Sequence, residues 1–497
     1  MNHYLGIDVG TFESKGVIVD GGGRVVASAS KPHKMLVPQP GWAEHRPKQD
    51  WWGDFTFISK TMLAESGIDP KSIRAVGTSA IGPCMLPVDG EGEALSNAAL
   101  YGVDARAAKE IEELNAAIGP ETILKRCGNA LTSQSVGPKI LWLKKNRPEI
   151  FRQAAKIVTS TTYLVQKLTG ECVIDHYSAA NFQPLYDVDR LDWTLELAPD
   201  VIEIERLPRL VWTTDIAGHV TPKAARATGL AAGTPVIAGT IDAASEAVSV
   251  GVLKPGDMMI MYGSTIFTIM LSKARIEDAR LWYAPWLFKG LHGSTAGLST
   301  SGTLTHWFRD IAARELGPDG AFGKLAREAE ASPPGAKGLV MLPYFSGERT
   351  PIHDPNAKGV IFGLNLTHDR GDIYRALLEG IACGTNHILE TYREIDELPK
   401  RLLAVGGGTR NRVWSQATSD VCGMPQTVCR NTVGASYGDA FLAALAVGDV
   451  KKKDILAWNP EDRRIVPDRR NRAVYARQFR IFKDLYRQTK GLMEELS

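Results

Sequence analysis

Leu5-Gly6-Ile7-Asp8-Val9-Gly10-Thr11-Phe12-Glu13-Ser14-Lys15-Gly16-Val17-Ile18-Val19-Asp20 is the stretch that decides the fold. Two apolar runs flank a Gly-Thr pair, a pattern typical of a β-hairpin with a tight glycine turn. Gly10 can adopt a positive φ and lets backbone N–H groups come close to a ligand. Asp8 ends the first run, where its carboxylate could hold a hydrated Mg²⁺. The stretch predicts a phosphate-binding hairpin or, alternatively, an ordinary N-terminal hairpin whose Asp8 caps the turn.

The length and composition of the chain are typical of a two-domain globular protein. Its 497 residues exceed what one core usually supports, and 44% hydrophobic with 23% charged residues is an ordinary balance. The net charge of +2 argues neither for nor against an acidic partner, and without a long basic run we expect no nucleic-acid partner. The six cysteines form no CxxC pair, which predicts neither a zinc site nor disulfides and fits a reducing, cytoplasmic compartment. Without a long apolar stretch or a leader sequence, we expect no membrane partner.

A second hairpin pattern of the same form follows about half a chain later. Residues 258–270 form a strand pattern, a Gly263-Ser264-Thr265 turn and another strand pattern, which echo residues 5–19. Such an echo predicts duplicated halves, each offering a hydroxyl-rich turn to a polyphosphate. We therefore expect two domains, residues 1–248 and residues 249–497.

Two further stretches carry candidate functional residues. The strand pattern of residues 235–241 ends in Asp242 ahead of a helix pattern, so Asp242 is either a catalytic carboxylate or the N-cap of that helix. The strand pattern of residues 402–405 opens into Gly406-Gly407-Gly408 and Asn411, again ahead of a helix. This order suits a nucleotide that Asn411 could hydrogen-bond, although a plain glycine-rich turn has the same pattern.

Taken in order, these motifs resemble those of the FGGY carbohydrate kinases over nearly the whole chain. The resemblance rests on residues 6–11, 41–44, 50–52, 137–143, 239–242, 263–265, 347–351, 354–355, 359–364, 375–380 and 406–408 with Asn411 and Trp414. It implies an α/β fold with two actin-like, ribonuclease-H-like domains and an ATP/sugar cleft between them. It also implies ATP-dependent phosphorylation of a sugar or polyol hydroxyl.

The resemblance also implies roles for single residues. Asp242 is expected to be the general base, and Asp8 to position Mg²⁺ through water. Contacts to ATP are expected from Thr11, Gly263, Ser264, Thr265, Gly302, Gly407, Gly408 and Asn411. Contacts to the sugar are expected from Ser79, Gly82, Tyr101, Asp104 and Asp242. Because the chain lacks the GxxxxGK[ST] motif of P-loop kinases, we expect backbone donors of two facing turns and Mg²⁺ to carry the phosphate charge.

The residues that would select the sugar depart from the family pattern. Glycerol kinases carry an Arg-Glu pair and xylulokinases a Met-His pair where this chain has Gly82-Pro83. We expect a xylulokinase-like enzyme acting on a ketopentose such as D-xylulose, with ribulose, a tetrulose or another polyol as alternatives and glycerol less favoured.

Two alternatives belong to a different class of function. One is an actin-like conformational ATPase, which is disfavoured because we expect no appended domain after the helix pattern of residues 473–496. The other is a non-catalytic sugar sensor, which would not need to retain Asp242 and Asp8. Kinases of this family often form dimers, so a homodimer is one expectation that no residue pattern here supports or opposes.

Overall fold

The chain folds into two compact α/β units, as described by a computed structural model for residues 2–317 and 320–497. The first unit comprises the chain up to Leu253 together with Lys273–Gly293 and Val433–Pro460. The second comprises Lys254–Ser272, Ser294–Thr432 and Glu461–Ser497. The predicted two-domain α/β organisation is confirmed. The boundary predicted between residues 248 and 249 stays a prediction.

The first unit is built on a mixed sheet whose parallel strands end at one edge. Its strands lie in the order Ile216–His219, Pro235–Ile237, Ile73–Ala80, His3–Val9, Glu13–Asp20 and Val25–Pro32, and Thr240–Ile241 pairs with the end of Ile73–Ala80. The predicted hairpin is present, since Asp8 pairs with Lys15 across antiparallel strands. Asp8 also pairs with Ser79, which in turn pairs with Thr240. The carboxyl ends of the parallel strands therefore bring these positions into one row, the usual place for a ligand site.

One helix of the first unit comes from late in the chain and packs directly on this sheet. Helix Ala435–Ala446 meets the two central strands where each carries a glycine. A Cβ atom built on Gly6 would lie 1.9 Å from the carbonyl oxygen of Ser436, and one built on Gly77 would lie 2.2 Å from that of Asp439. Only glycine leaves room for this backbone-to-backbone contact.

The other elements of the first unit surround this sheet. Its remaining helices are Gly53–Ser66, Ala108–Ile118, Pro120–Cys127, Val136–Asn146, Pro148–Gln153, Ser160–Thr169, His176–Ala179, Pro222–Thr228, Asp242–Ser249 and Ile455–Trp458. Its shorter strands are Glu44–His45, Leu86–Val88, Ala98–Ala99, Lys156–Val158, Val173–Asp175, Tyr186–Asp187, Asp192–Trp193, Arg209–Val211 and Trp282–Pro285. The core contains the fully buried rings of Trp51, Phe55 and Tyr163.

The second unit is organised around a sheet that contains the other predicted hairpin. Six strands lie in the order His292–Leu298, Ile266–Ser272, Asp257–Tyr262, Arg401–Val405, Gln426–Cys429 and Glu461–Ile465. A small separate ladder joins Val340–Leu342 and Val360–Phe362. Its helices are Gly302–Ala312, Ala321–Ala331, Arg370–Glu394, Arg412–Cys422 and Arg472–Glu495.

The helices of both units pack on sheet strands or on other helices. Across residues 2–317 and 320–497, none combines the length and the apolar character that crossing a membrane requires.

Candidate active site

The turn between the first two strands is held from one side by two histidines. The carbonyl oxygens of Gly10 and Thr11 lie 3.0 Å from Nε2 of His33 and Nε2 of His45, respectively. The carbonyl oxygen of Phe12 accepts a hydrogen bond of 2.9 Å from the backbone N–H of His33. Because C=O and N–H of a trans peptide point in opposite directions, the N–H groups of Thr11 and Phe12 point away from the histidines. Successive N–H groups turned outward in this way suit an anion, as expected of a phosphate-binding turn.

Asp242 lies at the start of a helix, directly after the short strand that pairs with Ser79. It is the first residue of Asp242–Ser249, and Ile241 occupies the cap position, so the alternative of Asp242 as the N-cap is wrong. Its carboxylate accepts a hydrogen bond of 2.7 Å from the N–H of Ala243. Burial raises the pKa of Asp242 to about 6, although the residue remains partly exposed. A rigidly supported carboxylate of this basicity can accept a proton near neutral pH.

Three more acidic side chains lie near Asp242. Burial, together with the charge of Asp242 and other nearby carboxylates, raises the pKa of Asp8 well above its usual range. Burial and the charge of Asp242 raise the pKa of Glu246 to about 7. Burial raises the pKa of Asp439 to about 8, to which the charge of Asp242 contributes. The first unit therefore concentrates acidic groups at the sheet edge, and the charge of Asp242 disfavours ionisation of the other three.

Asp439 belongs to this cluster, although no sequence motif had indicated it. The residue is fully buried on helix Ala435–Ala446. Its two oxygens lie 2.7 Å from the hydroxyls of Ser79 and Ser245. Ser79 is one of the predicted sugar contacts, and its hydroxyl is also 3.2 Å from Oδ1 of Asp8. The glycines in two sheet strands, at Gly6 and Gly77, are the one sequence feature that could have indicated the approach of this helix.

The side chains around Asp8 fit a Mg²⁺ ion only if water and substrate phosphates supply most of its ligands. Among residues 2–317 and 320–497, no three His, Cys, Asp or Glu side chains are grouped so as to hold a metal ion. Mg²⁺ commonly binds through one or two carboxylates, with water and substrate phosphates completing its octahedron. Asp8 alone fits that mode, and its predicted role at the metal stays a prediction.

Two predicted sugar contacts lie next to predicted catalytic or phosphate residues. The hydroxyl of Tyr101 is 3.2 Å from that of Thr11. A Cβ atom built on Gly82 would lie 2.7 Å from Cγ1 of Ile241, the neighbour of Asp242. With Ser79 beside Asp8, the structure brings three of the predicted sugar positions to the edge where Asp8 and Asp242 lie.

Asp104, the remaining predicted sugar contact, is held in a buried ion-pair cluster. Its carboxylate is 0% exposed, accepts a hydrogen bond of 2.8 Å from the N–H of Ala43 and pairs with Arg106 at 2.7 Å. Arg106 also pairs with Glu44 at 2.9 Å, and its guanidinium lies 4.0 Å from the ring centre of Trp42. Protein donors thus occupy both oxygens of Asp104, and its contact with a sugar stays a prediction.

A cavity of about 600 Å³ in the second unit collects most of the predicted ATP contacts. Of the predicted residues, Gly263, Ser264, Gly302, Gly407, Gly408 and Asn411 line it, whereas Thr265 lies in the same turn outside the lining. The volume is in the range of cofactor and ligand sites. Sequence reasoning missed several residues that line this cavity, namely Tyr262, Thr305, His306, Phe322, Gly323, Ala326, Tyr374 and Arg410.

Glycines let the backbone of this cavity pack tightly on its aromatic wall. A Cβ atom on Gly408 would lie 2.5 Å from the ring of Trp414, and one on Gly302 would lie 2.5 Å from the carbonyl of Gly263. Asn411 caps helix Arg412–Cys422 by accepting a hydrogen bond of 3.1 Å from the N–H of Trp414. Within the described residues, the buried indole N–H of Trp414 has no hydrogen-bond partner. The ring of Trp414 therefore supports the glycine backbone that lines this part of the cavity.

Family models account for most of the chain. The N-terminal domain of the FGGY family of carbohydrate kinases matches residues 3–249, and its C-terminal domain matches residues 258–447. The chain belongs to the FGGY family of carbohydrate kinases. The resemblance inferred from the motifs is thereby confirmed, and the protein is a sugar kinase that uses ATP as its phosphate donor.

Individual FGGY relatives carry more than one substrate name. The xylulose kinase of Escherichia coli (strain K12) is 30% identical, over 99% of this chain and 100% of its own length. The gluconokinase of Bacillus subtilis (strain 168) is 27% identical, over 92% of this chain and 90% of its own length. The crystal structure of xylulose kinase from Rhodospirillum rubrum superimposes with a TM-score of 0.92 at 31% identity, covering 99% of this chain and 100% of that one. Among FGGY kinases this chain is thus xylulokinase-like.

Proposed function

We propose that this FGGY kinase phosphorylates a hydroxyl of a ketopentose, with D-xylulose as the favoured substrate and Asp242 as the general base. The observation that carries the proposal is the position of Asp242. It starts a helix at the edge of the parallel strands, and burial raises its pKa to about 6. A carboxylate with that pKa is mostly ionised at neutral pH and is still basic enough to accept a proton.

The reaction needs only one proton transfer by the protein. The sugar oxygen forms a bond to the γ-phosphorus of ATP, the bond from that phosphorus to the β,γ-bridging oxygen breaks, and Asp242 takes the hydroxyl proton. Phosphoryl transfer otherwise depends on positioning and on stabilising negative charge. When bound, Mg²⁺ would neutralise phosphate charge, with Asp8 positioning it through water.

We propose that the two predicted halves divide this work. Residues 1–248 carry Asp8, the phosphate-binding turn at Thr11, Asp242 and the sugar contacts. Residues 249–497 carry the cavity lined by Gly407, Gly408 and Asn411, which we assign to the adenosine part of ATP. The tight contact of Gly408 on Trp414 supports this assignment, because a flat wall suits a base.

The substrate is the least constrained part of the proposal. Relatives named xylulose kinase match nearly the full chain, and this favours a ketopentose. Gly82-Pro83 supplies no charged side chain, so sugar selection falls to neighbouring groups such as Ser79 and Tyr101. Ribulose, a tetrulose, another polyol and gluconate are the competing substrates.

A coupled ADP-release assay over a panel of sugars tests the proposal. The panel contains D-xylulose, D-ribulose, L-ribulose, erythrulose, gluconate and glycerol, and kcat/KM is determined for each compound. The rate of ADP release is also measured with ATP alone. We expect the highest kcat/KM with D-xylulose and only slow ADP release without sugar. A higher value for gluconate would contradict the ketopentose assignment, and sugar-independent ADP release would favour a conformational ATPase.

A further inference from the structure

The two histidines behind the phosphate-binding turn have different protonation states, and hydrogen-bond partners fix both. Nδ1 of His45 lies 3.0 Å from Nε1 of Trp51, and an indole N–H can only donate. Nδ1 of His45 is therefore the acceptor, and Nε2 carries the hydrogen that is donated to the carbonyl of Thr11. His45 is neutral, in keeping with burial, which lowers its pKa to about 4.

His33 faces an acceptor on each side of its ring. Nε2 lies 3.0 Å from the carbonyl oxygen of Gly10, which can only accept. Nδ1 lies 2.8 Å from Oδ2 of Asp54, whose other oxygen is paired with Lys31 at 2.9 Å. The hydroxyl of Ser14 also donates to Oδ2 of Asp54 at 2.9 Å. Because these contacts are those of an ionised carboxylate, both ring nitrogens of His33 must donate, and the ring is an imidazolium.

The charges around His33 are few and come from several elements. Asp54 contacts it from helix Gly53–Ser66, and Lys31 lies on the adjacent strand. The ring of neutral His45 lies edge-on with centroids 4.8 Å apart. Glu13 on the strand after the turn interacts with His33 electrostatically and is itself paired with Lys15 at 3.2 Å.

Asp50 and Arg46, which pair with each other at 2.7 Å, are the next charges beyond His45. The side chain of His33 is only 3% exposed, so its hydrogen bonds face little competition from water. Across His33, Lys31 and Asp54 the charges sum to one positive charge beside the turn, which favours a bound anion.

We propose that His33 is a positioning residue for ATP: as an imidazolium it ties Asp54 to the carbonyl of Gly10 and so keeps the N–H groups of the turn directed at phosphate. Loss of one proton leaves a nitrogen lone pair facing either the Asp54 carboxylate or the Gly10 carbonyl. One of the two contacts then becomes repulsive, and the turn is held less firmly. Loss of that proton is expected to lower the affinity for ATP.

This inference rests on the proposed phosphate-binding role of the Gly10–Thr11 turn. Its test therefore measures the protonation of the His33 ring and the affinity for ATP in separate experiments. In the full chain labelled with ¹⁵N-histidine, NMR reports the protonation of each ring nitrogen between pH 5.5 and 8.5, and the His33→Gln variant assigns the His33 signals. Isothermal titration calorimetry gives the Kd of ATP over the same pH range. Both measurements are independent of any sugar.

We expect both ring nitrogens of His33 to carry hydrogen where ATP binds most tightly. Where one of them has lost its hydrogen, the Kd of ATP should be higher by about tenfold or less, the scale of one hydrogen bond. In His33→Gln, whose amide can still donate to Gly10, the Kd should change with pH by less than in wild type, and the remaining change comes from ATP itself and from the nearby carboxyl groups. The exposed His219→Gln variant is the matched control and should keep the wild-type pH dependence.

Two results would overturn the proposal. A neutral His33 ring throughout the pH range would remove its chemical basis, and this test uses the wild-type chain, so it does not depend on a variant that folds. The same pH dependence of the Kd of ATP in wild type and in His33→Gln would exclude positioning through the turn. Failure of the proposed kinase reaction would instead appear as no activity across the sugar panel, with the ring protonation unaffected.

Discussion

The hydroxyl oxygen of Ser79 lies 2.7 Å from Oδ2 of Asp439, although 360 positions separate the two residues in the chain. The same hydroxyl lies 3.2 Å from Oδ1 of Asp8. One hydroxyl has one hydrogen and cannot donate to both carboxyl groups. A protonated Asp439 resolves this, because it can donate to Ser79 while Ser79 donates to Asp8. This arrangement fits the pKa of Asp439, which burial raises to about 8, so that the neutral form of this carboxyl is favoured near pH 7.

The first prediction is that Asp439→Asn stabilises the protein increasingly as pH rises. The carboxamide reproduces one donor and one acceptor, so the contacts with Ser79 and Ser245 can be kept. A carboxyl with a raised pKa in the folded state binds more protons than in the unfolded chain, so wild-type stability falls between the unfolded pKa, about 4, and about 8. Relative to wild type, the unfolding free energy of Asp439→Asn should be greater at pH 8 than at pH 5 by about 1 kcal/mol or more.

Urea unfolding of both proteins at pH 5 and pH 8 measures this difference. The exposed Asp69→Asn variant, on a loop of the same unit, is the control and should show no comparable pH-dependent gain. Equal stability differences at the two pH values would mean that Asp439 is already ionised at pH 5.

The second prediction concerns the proposed base. Asp242→Asn keeps the shape of the side chain but cannot take the proton of the attacking hydroxyl. General-base catalysis typically contributes about 10²- to 10⁴-fold, so kcat should fall by about that factor. The Kd of ATP by calorimetry should change by less than about threefold, because the cavity that we propose for adenosine is lined by residues of the second unit. A variant that retains most of its kcat would refute the assignment.

The third prediction follows from the pKa of Asp242. Because the base must be ionised, and burial raises its pKa to about 6, kcat/KM for the sugar should fall about tenfold per pH unit below that value. The measurement is a pH profile of kcat/KM from pH 5 to 8 at saturating ATP. The residual activity of Asp242→Asn should lack the acid limb. An acid limb centred near pH 4 would indicate a solvated carboxylate instead.

The fourth prediction uses adjacent glycines of the nucleotide cavity as a matched pair. In Gly408→Ala the new methyl would lie 2.5 Å from the ring of Trp414 and 2.9 Å from Cβ of Tyr262, so the wall must move. We expect a loss of about 1–3 kcal/mol in unfolding free energy and a higher Kd for ATP.

Gly407→Ala is the control for stability in that pair. Its new methyl meets no atom within 4 Å, so the unfolding free energy should stay within about 0.5 kcal/mol of wild type. Thermal unfolding and ATP calorimetry on both variants make the comparison. Equal destabilisation of the two would show that the contact with Trp414 is not what requires glycine at position 408.

Local patterns predicted the elements that carry the site well. Both hairpins follow from alternation of apolar residues around a glycine turn, and Asp8 pairs with Lys15 in the expected antiparallel ladder. The glycine run at residues 406–408 does lie between a strand and a helix, at the cavity of the second unit. These features depend on neighbours in the sequence, which is why periodicity and turn chemistry suffice for them.

Local sequence patterns could not predict contacts between distant parts of the chain. Asp104 has the residue type of a sugar contact, yet its carboxylate is enclosed by Arg106 and the N–H of Ala43. His33 and His45 lie outside every motif, and only the fold brings them behind Thr11 and its neighbours. Burial and partner identity are properties of tertiary packing, and no local pattern encodes them.

The close packing of helix Ala435–Ala446 on Gly6 and Gly77 of the first sheet has a consequence for biosynthesis. Strands His3–Val9 and Ile73–Ala80 are synthesised long before this helix. For most of translation this face of the sheet therefore stays uncovered, and incompletely folded chains of this kind associate with one another. Synthesis that stops before residue 433 would release a product lacking this cover, a natural client for chaperones and for proteolytic clearance.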